Sequence, residues 1–406
     1  MTIDLEAVYR DLHANPELSF QEHRTSAIVA DHLRGLGYEV TTGIGKTGVL
    51  GLLRNGDGPT VLLRADMDAL PVEEATGLPY ASSARGTDHE GNDVPVMHAC
   101  GHDVHVTCLL GAAERLAADR SSWAGTLAVV FQPAEEWGGG AETMIADGLF
   151  DRMPQPDVVL GQHVAPFPAG FAGVRSGPFF AGSDSLTIRL HGSGGHGSRP
   201  ETTVDPVYLA ASTTVRLQGI VAREIAPTDA AVVTVGQLHS GTKHNIIPAE
   251  AMLGLSVRTF DEAVREKVLG AIERIVTAEA AASGAPREPD VVYDDRYPVT
   301  VNDPAATERT ADALRAALGA ERVIDPGPAS ASEDVGVLAT SSGAPLCYWV
   351  LGGMDPALFA DALQSGRMPD DVPSNHSPHF APLIQPTLST GVTALVAAAR
   401  EWLASA

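Results

Sequence analysis

An α/β domain on a mixed sheet, interrupted by a smaller ferredoxin-like α+β domain, is the fold this sequence predicts. Three observations predict it. Helix-like and strand-like patterns alternate from the start of the chain, the order becomes β-α-β-β-α-β near residue 180, and the first pattern resumes after residue 295. At 406 residues the chain exceeds one ordinary core, so two domains are the default expectation. The boundaries read as 1–180, an inserted 181–294, and 295–406.

The first segment, "SFQEHRTSAIVADHLRGLGYEV", reads as a helix. Ser19 and Glu22 stand at capping-box spacing, Ile28, Val29, Leu33 and Leu36 recur on one face, and Gly35 and Gly37 end it. "TGVLGLLRN" and "PTVLLRADMDAL" are apolar strands joined by the turn residues "NGDG". A helix from about Asp103 to Ala118 precedes the buried-strand runs "GTLAVVFQPA" and "PDVVLGQHV". In the insertion, "SLTIRLHG" puts Leu186, Ile188 and Leu190 on one face of a half-exposed strand. A helix over Val204–Glu224, the strands "AAVVTVGQL" and "AEAMLGLSVRTF", a helix over Asp261–Ala282 and the strand "PDVVYDD" complete it. "NDPAATERTADALRAALG" then reads as a capped helix, "PLCYWVLGG" as a strand and "PTLSTGVTALVAAAREWLA" as a closing helix.

Composition narrows the function classes. Asp and Glu total 51 against 27 Lys and Arg, a formal charge of −24, which repels nucleic acid and anionic membrane. No apolar run approaches the roughly 20 residues that span a bilayer, and the N-terminus lacks a basic-then-apolar signal. The three cysteines, Cys100, Cys108 and Cys347, are too few and odd in number for a disulfide framework. A reduced, cytoplasmic protein is the expectation.

Residues 97–106, "MHACGHDVHV", crowd three imidazoles, a thiol and a carboxylate into ten positions. In an extended segment, Cys100 and His102 project to one side and could meet one centre, although two ligands fall short of the three or four that zinc takes. "FQPAEEWGGGA" sets Glu135 and Glu136 beyond a buried strand, where adjacent carboxylates are costly without a cation. Read as extended, the pair points two ways, so one could bind metal while the other moves a proton. His163 follows the strand "VVLGQ", and His376 and His379 lie in the loop "PSNHSPHF". Open α/β sheets bind ligands at the carboxyl ends of their strands, where all four segments fall.

This set, in this order, resembles the dinuclear metal amidohydrolases that include hippurate hydrolase, bacterial aminoacylases and plant auxin-conjugate hydrolases. The resemblance runs from "HANPELSFQEHRT" through "RADMDALPVEE", "MHACGHDVHV", "FQPAEEWGGGA" and "GSGGHGSRP" to "NHSPHF". It implies a catalytic domain interrupted by a lid domain that also mediates dimerisation, and hydrolysis of N-acyl amino acids as the reaction. Carried over, the pattern makes Cys100, His102, Glu136, His163 and His376 ligands of two divalent metals, with zinc, manganese, cobalt or nickel in prospect, and Glu135 the general acid/base. His376 is preferred to His379 because the family motif reads His-x-Pro. His196 would stabilise the oxyanion with Asn245 nearby, and Arg258 would bind a substrate carboxylate. Related metallopeptidases place a ligand histidine where Asp66 stands, so Asp66 and Asp68 read as groups that orient ligand histidines. His89, His98 and His105 carry no assigned role.

Three rivals stand beside this reading. A dipeptidase or carboxypeptidase would share the metal chemistry, a metal-dependent binding protein would lack a base or ligand, and a hydrolase using Cys100 as nucleophile would survive chelation.

Overall fold

The protein is described by a computed structural model that covers residues 3–359 and 372–404. It divides into two compact units. The first takes in Met1–Gly177, Val301–Gly327 and Asp334–Ala406, and the second Pro178–Thr300 with the short return Pro328–Glu333. That return belongs to a stretch the sequence pattern assigned wholly to the outer domain.

An eight-stranded mixed sheet forms the frame of the first unit. Its strands run in the order Glu39–Ile44, Gly48–Asn55, Gly125–Gln132, Thr60–Asp66, Val158–Pro168, Leu346–Met354, Ala172–Val174 and Val323–Ile324. Thr60–Asp66 is parallel to both neighbours, as Val158–Pro168 is to Leu346–Met354. The outer strands at the Glu39 edge run antiparallel. Every residue of Thr60–Asp66, Gly125–Gln132 and Leu346–Met354 is buried, which explains why these strands read as mainly apolar runs without alternation.

Helix His102–Ala118 is buried along nearly its whole length and packs against both the sheet and the closing helix Thr387–Trp402. A helix apolar on all sides belongs inside a core, and this one lies between other elements. Register then levels the strand ends. Asp66 pairs with Gln132, and the pairing of Arg64 with Gly161 brings His163 to the same height two residues on.

In the second unit four antiparallel strands are ordered Ala231–Ser240, Glu250–Thr259, Gly182–His191 and Asp290–Tyr297. Helices Pro206–Leu217, Gly219–Arg223 and Glu262–Ala282 connect them. Leu186, Ile188 and Leu190 are buried beside Leu253, Leu255, Val268 and Ile272 in that unit's own core.

Several local expectations require correction. The helix beginning near residue 22 runs His23–Gly35 and has no capping box. Ser19 Oγ donates instead to Asp68 (2.6 Å), while the Glu22 carboxylate accepts from the backbone of Phe20 and Ala134. The Val204–Glu224 helix is two helices, broken at Gln218 just ahead of Gly219, a poor helix former. His163 lies within the strand Val158–Pro168, not beyond it. Helices Leu5–Ala14, Gly140–Ala146 and Val335–Ser342 were not among the expected elements, although Asp4 caps the first and Leu5, Val8, Tyr9 and Leu12 recur along it at helical spacing.

Candidate metal centre

Cys100 and His102 do not share an extended segment. His102 is the first residue of its helix, and Gly101 at φ +82° turns the chain between the two. The outcome the spacing was meant to supply is nevertheless present. One ligand atom each from Cys100, His102 and Glu136 lie within 4.8 Å of one another. Cys100 Sγ is 3.5 Å from His163 Nε2, and Glu136 Oε1 is 3.3 Å from His376 Nε2. His379 turns elsewhere, its Nδ1 2.9 Å from the Ala75 carbonyl oxygen.

Glu135 and Glu136 are likewise not extended; they open a tight turn closed by Gly138 N donating to Glu135 O (2.9 Å). Asp68 holds that turn. Its two oxygens accept the backbone N–H groups of Glu135 (3.1 Å) and Glu136 (3.0 Å), and Oδ1 is also 3.3 Å from His102 Nδ1. A carboxylate on one ring nitrogen sets the orientation of the imidazole and turns the other nitrogen to the centre. His102 Nε2 indeed lies 3.9 Å from both Glu135 Oε2 and Glu136 Oε1.

His163 shows the same arrangement. Its Nδ1 donates to the Val164 carbonyl (2.8 Å), which leaves Nε2 facing the thiol. A second group gathers Asp66, His102, His105 and His163. Sequence reasoning missed His105, yet both its nitrogens are engaged: Nδ1 bonds Asp66, and Nε2 accepts from Val164 N (2.7 Å). Asp66 is also bonded to Arg64 (2.6 Å). Asn375 was missed as well. Its amide donates to the Cys100 and Val164 carbonyls, both at 3.1 Å, and so ties the His376 loop to the Cys100 turn. No local spacing announces such a residue.

Does this cluster suit a cation? Both ring nitrogens of His102 and Glu136 Oε1 are buried without a hydrogen-bond partner of acceptable geometry. Such groups are costly unless something compensates them. Burial, together with Glu136, Glu135 and Asp66, holds the Cys100 thiol well above its ordinary range. Burial opposes charge on His102, but Asp66, Asp68 and Glu136 outweigh it and push its pKa up to about 10. Burial and His105 hold His163 well below the usual range, neutral and able to ligate. Excess acid, neutral imidazole and a thiol is a donor set that fits divalent metal, which would draw the thiol to thiolate.

His196, Asn245 and Arg258 belong to the second unit. His196 sits on the exposed two-residue strand Gly195–His196, paired with Ile246–Ile247, and its Nδ1 is 2.8 Å from Ser198 Oγ. Gly197 N donates to Asn245 O (2.9 Å), so the His196 and Asn245 segments run side by side. Arg258 is half-buried on Glu250–Thr259, and its guanidinium donates to Ser332 Oγ.

Residues 62–363 match the model of peptidase family M20/M25/M40. The chain is 40% identical to thermostable carboxypeptidase 2 of Saccharolobus solfataricus, over 85% of this chain and 84% of that one. It is also 40% identical to hippurate hydrolase of Campylobacter jejuni, over 82% and 84%. Among solved structures it resembles the YXEP protein of Bacillus subtilis, described as a dinuclear metal binding peptidase of the M20 family. That match has a TM-score of 0.77 at 28% identity, covering 98% of this chain and 96% of the other.

Proposed function

The chain belongs to peptidase family M20/M25/M40 and is a metal-dependent amide hydrolase, and from that premise we propose that it cleaves N-acyl amino acids to a carboxylate and a free amino acid. The observation that carries this reading is the convergence of Cys100, His102, Glu136, His163 and His376 around buried, unpartnered donor atoms. These five would hold two divalent cations. When bound, such ions polarise a scissile carbonyl and make a water molecule easier to deprotonate. Glu135, buried beside His102 and braced by Asp68, takes the proton of the attacking water and returns it to the leaving nitrogen. From the inserted domain, His196 would stabilise the oxyanion, with Asn245 nearby among the substrate-binding residues and Arg258 binding the substrate carboxylate, and that domain would serve as lid and dimer contact.

A carboxypeptidase acting on peptides is the second reading, favoured by the 40% identity to the Saccharolobus enzyme. Acetyl, benzoyl and longer-chain acyl amino acids, assayed beside dipeptides, separate the two; faster cleavage of dipeptides would replace the first reading. Glu135→Gln is expected to keep its metal and lose about 10²–10⁴-fold in kcat. Normal turnover by that variant would remove Glu135 from the reaction.

A further inference from the structure

Among the described residues four non-glycine positions have positive φ: Phe20 (+62°), Lys46 (+81°), Ala134 (+50°) and His376 (+69°). Two of them, Phe20 and Ala134, give their amides to one buried carboxylate, and Lys46 adjoins a third donor to it. Glu22 is fully buried, and its Oε1 accepts the backbone N–H of both Phe20 (2.9 Å) and Ala134 (2.9 Å). Its Oε2 accepts from the hydroxyl of Thr47 (2.5 Å), the residue after Lys46. The Lys46 ammonium in turn lies 3.8 Å over the Phe20 ring. A left-handed conformation is sterically costly for an L-residue and persists only where surroundings impose it. The Ala134 amide is held by the Glu22 side chain, and the next residue is Glu135.

We propose that Glu22 is a positioning residue that holds Ala134 in its left-handed conformation and so aims Glu135 at the metal centre. This rests on the reading of Glu135 as the general acid/base. Asp68 holds the amides of Glu135 and Glu136 from one side of the turn; Glu22 holds the amide immediately before them. Two carboxylates therefore fasten three consecutive backbone N–H groups, and the loop bearing the acid/base is fixed by its backbone while its side chain reaches the centre. The role depends on geometry, not charge. Burial and the neighbouring Asp68 push Glu22 up to about 7, so near neutrality it is not committed to the ionised form.

Two variants divide geometry from charge. Glu22→Gln keeps the length and the Oε1 acceptor and lets its amide donate to Thr47, whereas Glu22→Asp keeps the charge but withdraws it by one methylene. Both would be compared with wild type for kcat, KM, metal content and, in metal-free protein, exchange of the Ala134 amide. Glu22→Asp is expected to lose tenfold or more in kcat with KM within about twofold and metal retained, and its Ala134 amide to exchange faster. Glu22→Gln is expected to stay within about threefold of wild type by each measure. Adding Ala134→Gly to Glu22→Asp should recover at least threefold in kcat, because glycine takes the left-handed conformation without the steric cost. Full activity in Glu22→Asp, loss confined to Glu22→Gln, or no recovery with glycine would overturn the proposal. Normal turnover by Glu135→Gln would instead overturn the reading of Glu135, leaving the amide-exchange result to judge Glu22 on its own.

Discussion

Gly101 joins the fold to the metal centre, and replacing it with alanine tests both. It lies between Cys100 and His102 at φ +82°, so any side chain there pays about 1–2 kcal/mol of left-handed strain. Its Cβ would also collide with Val164 Cγ1 and come within 3.2 Å of Phe380 Cε1. Both neighbours are completely buried and have nowhere to retreat. Overpacking of this kind typically costs about 1–3 kcal/mol, so Gly101→Ala should destabilise by roughly 2–5 kcal/mol in all. The collision also reaches the site. Val164 donates its N–H to His105 and accepts from His163 and Asn375, so displacing it shifts His163 and weakens metal binding. Chemical denaturation of the metal-free protein gives the stability change, and mass spectrometry the bound metal. A Val164→Ala background relieves the collision but not the backbone strain. The double variant should therefore be more stable than the sum of the single losses by about 1–3 kcal/mol. Additivity within about 0.5 kcal/mol, or a Gly101→Ala protein as stable as wild type, would refute this account of why glycine stands there.

Cys100→Ser should leave the fold intact and lower metal content, since a hydroxyl is a poor substitute for thiolate on a borderline-soft cation; unchanged content by mass spectrometry would exclude Cys100 from the site. His13 links stability to pH. Burial lowers its pKa, but Asp103 (2.6 Å) and Glu74 (3.1 Å) outweigh burial and push it up to about 10. A histidine raised in the folded state contributes stability fully present below about 6.5 and lost as pH climbs toward 10. The denaturation gap between wild type and His13→Gln should accordingly shrink by a few kcal/mol from pH 6 to pH 10; a constant gap would contradict the ion pairs. Chelation should abolish turnover and lower Tm, with both restored by adding metal. At a metal concentration 1,000 times Kd the stabilisation is about 4 kcal/mol. Activity that persists in chelator would favour Cys100 as a direct nucleophile.

Legibility in the sequence followed chemical rarity and continuous burial. A thiol, a few imidazoles and an adjacent pair of glutamates stand out in any composition, and strands buried on both faces read as unbroken apolar runs such as "LAVVF". The family match, residues 62–363, spans the thiol and the glutamate pair. What stayed hidden was set by partners distant in the chain. Ser19 and Glu22 show the limit best. Their spacing fits a helix cap, but each finds a stronger partner elsewhere, Ser19 in Asp68 and Glu22 in Ala134 and Thr47. Local spacing states what a residue could bond nearby and nothing of a competing donor more than a hundred residues away. His105 and Asn375 went unassigned for the same reason. The positive φ at Ala134 and His376 leaves no trace in residue type, because neither alanine nor histidine advertises it as glycine would.

A count of hydrogen-bonding capacity shows why the acids of this cluster play different parts. A carboxylate offers about four acceptor positions. Asp68 meets Ser19 and two backbone amides with His102 alongside; Asp66 meets Arg64 and His105, again with His102 alongside; Glu22 meets two backbone amides and Thr47. Those three acids spend their capacity on protein donors and act as anchors. Glu136 keeps a buried oxygen with no hydrogen-bond partner, within reach of His102 and His376. The acid that can accept a cation is thus marked by what the protein withholds from it. Supplying a donor that reached Glu136 Oε1 would be expected to lower the metal content read by mass spectrometry while leaving the anchored turn in place.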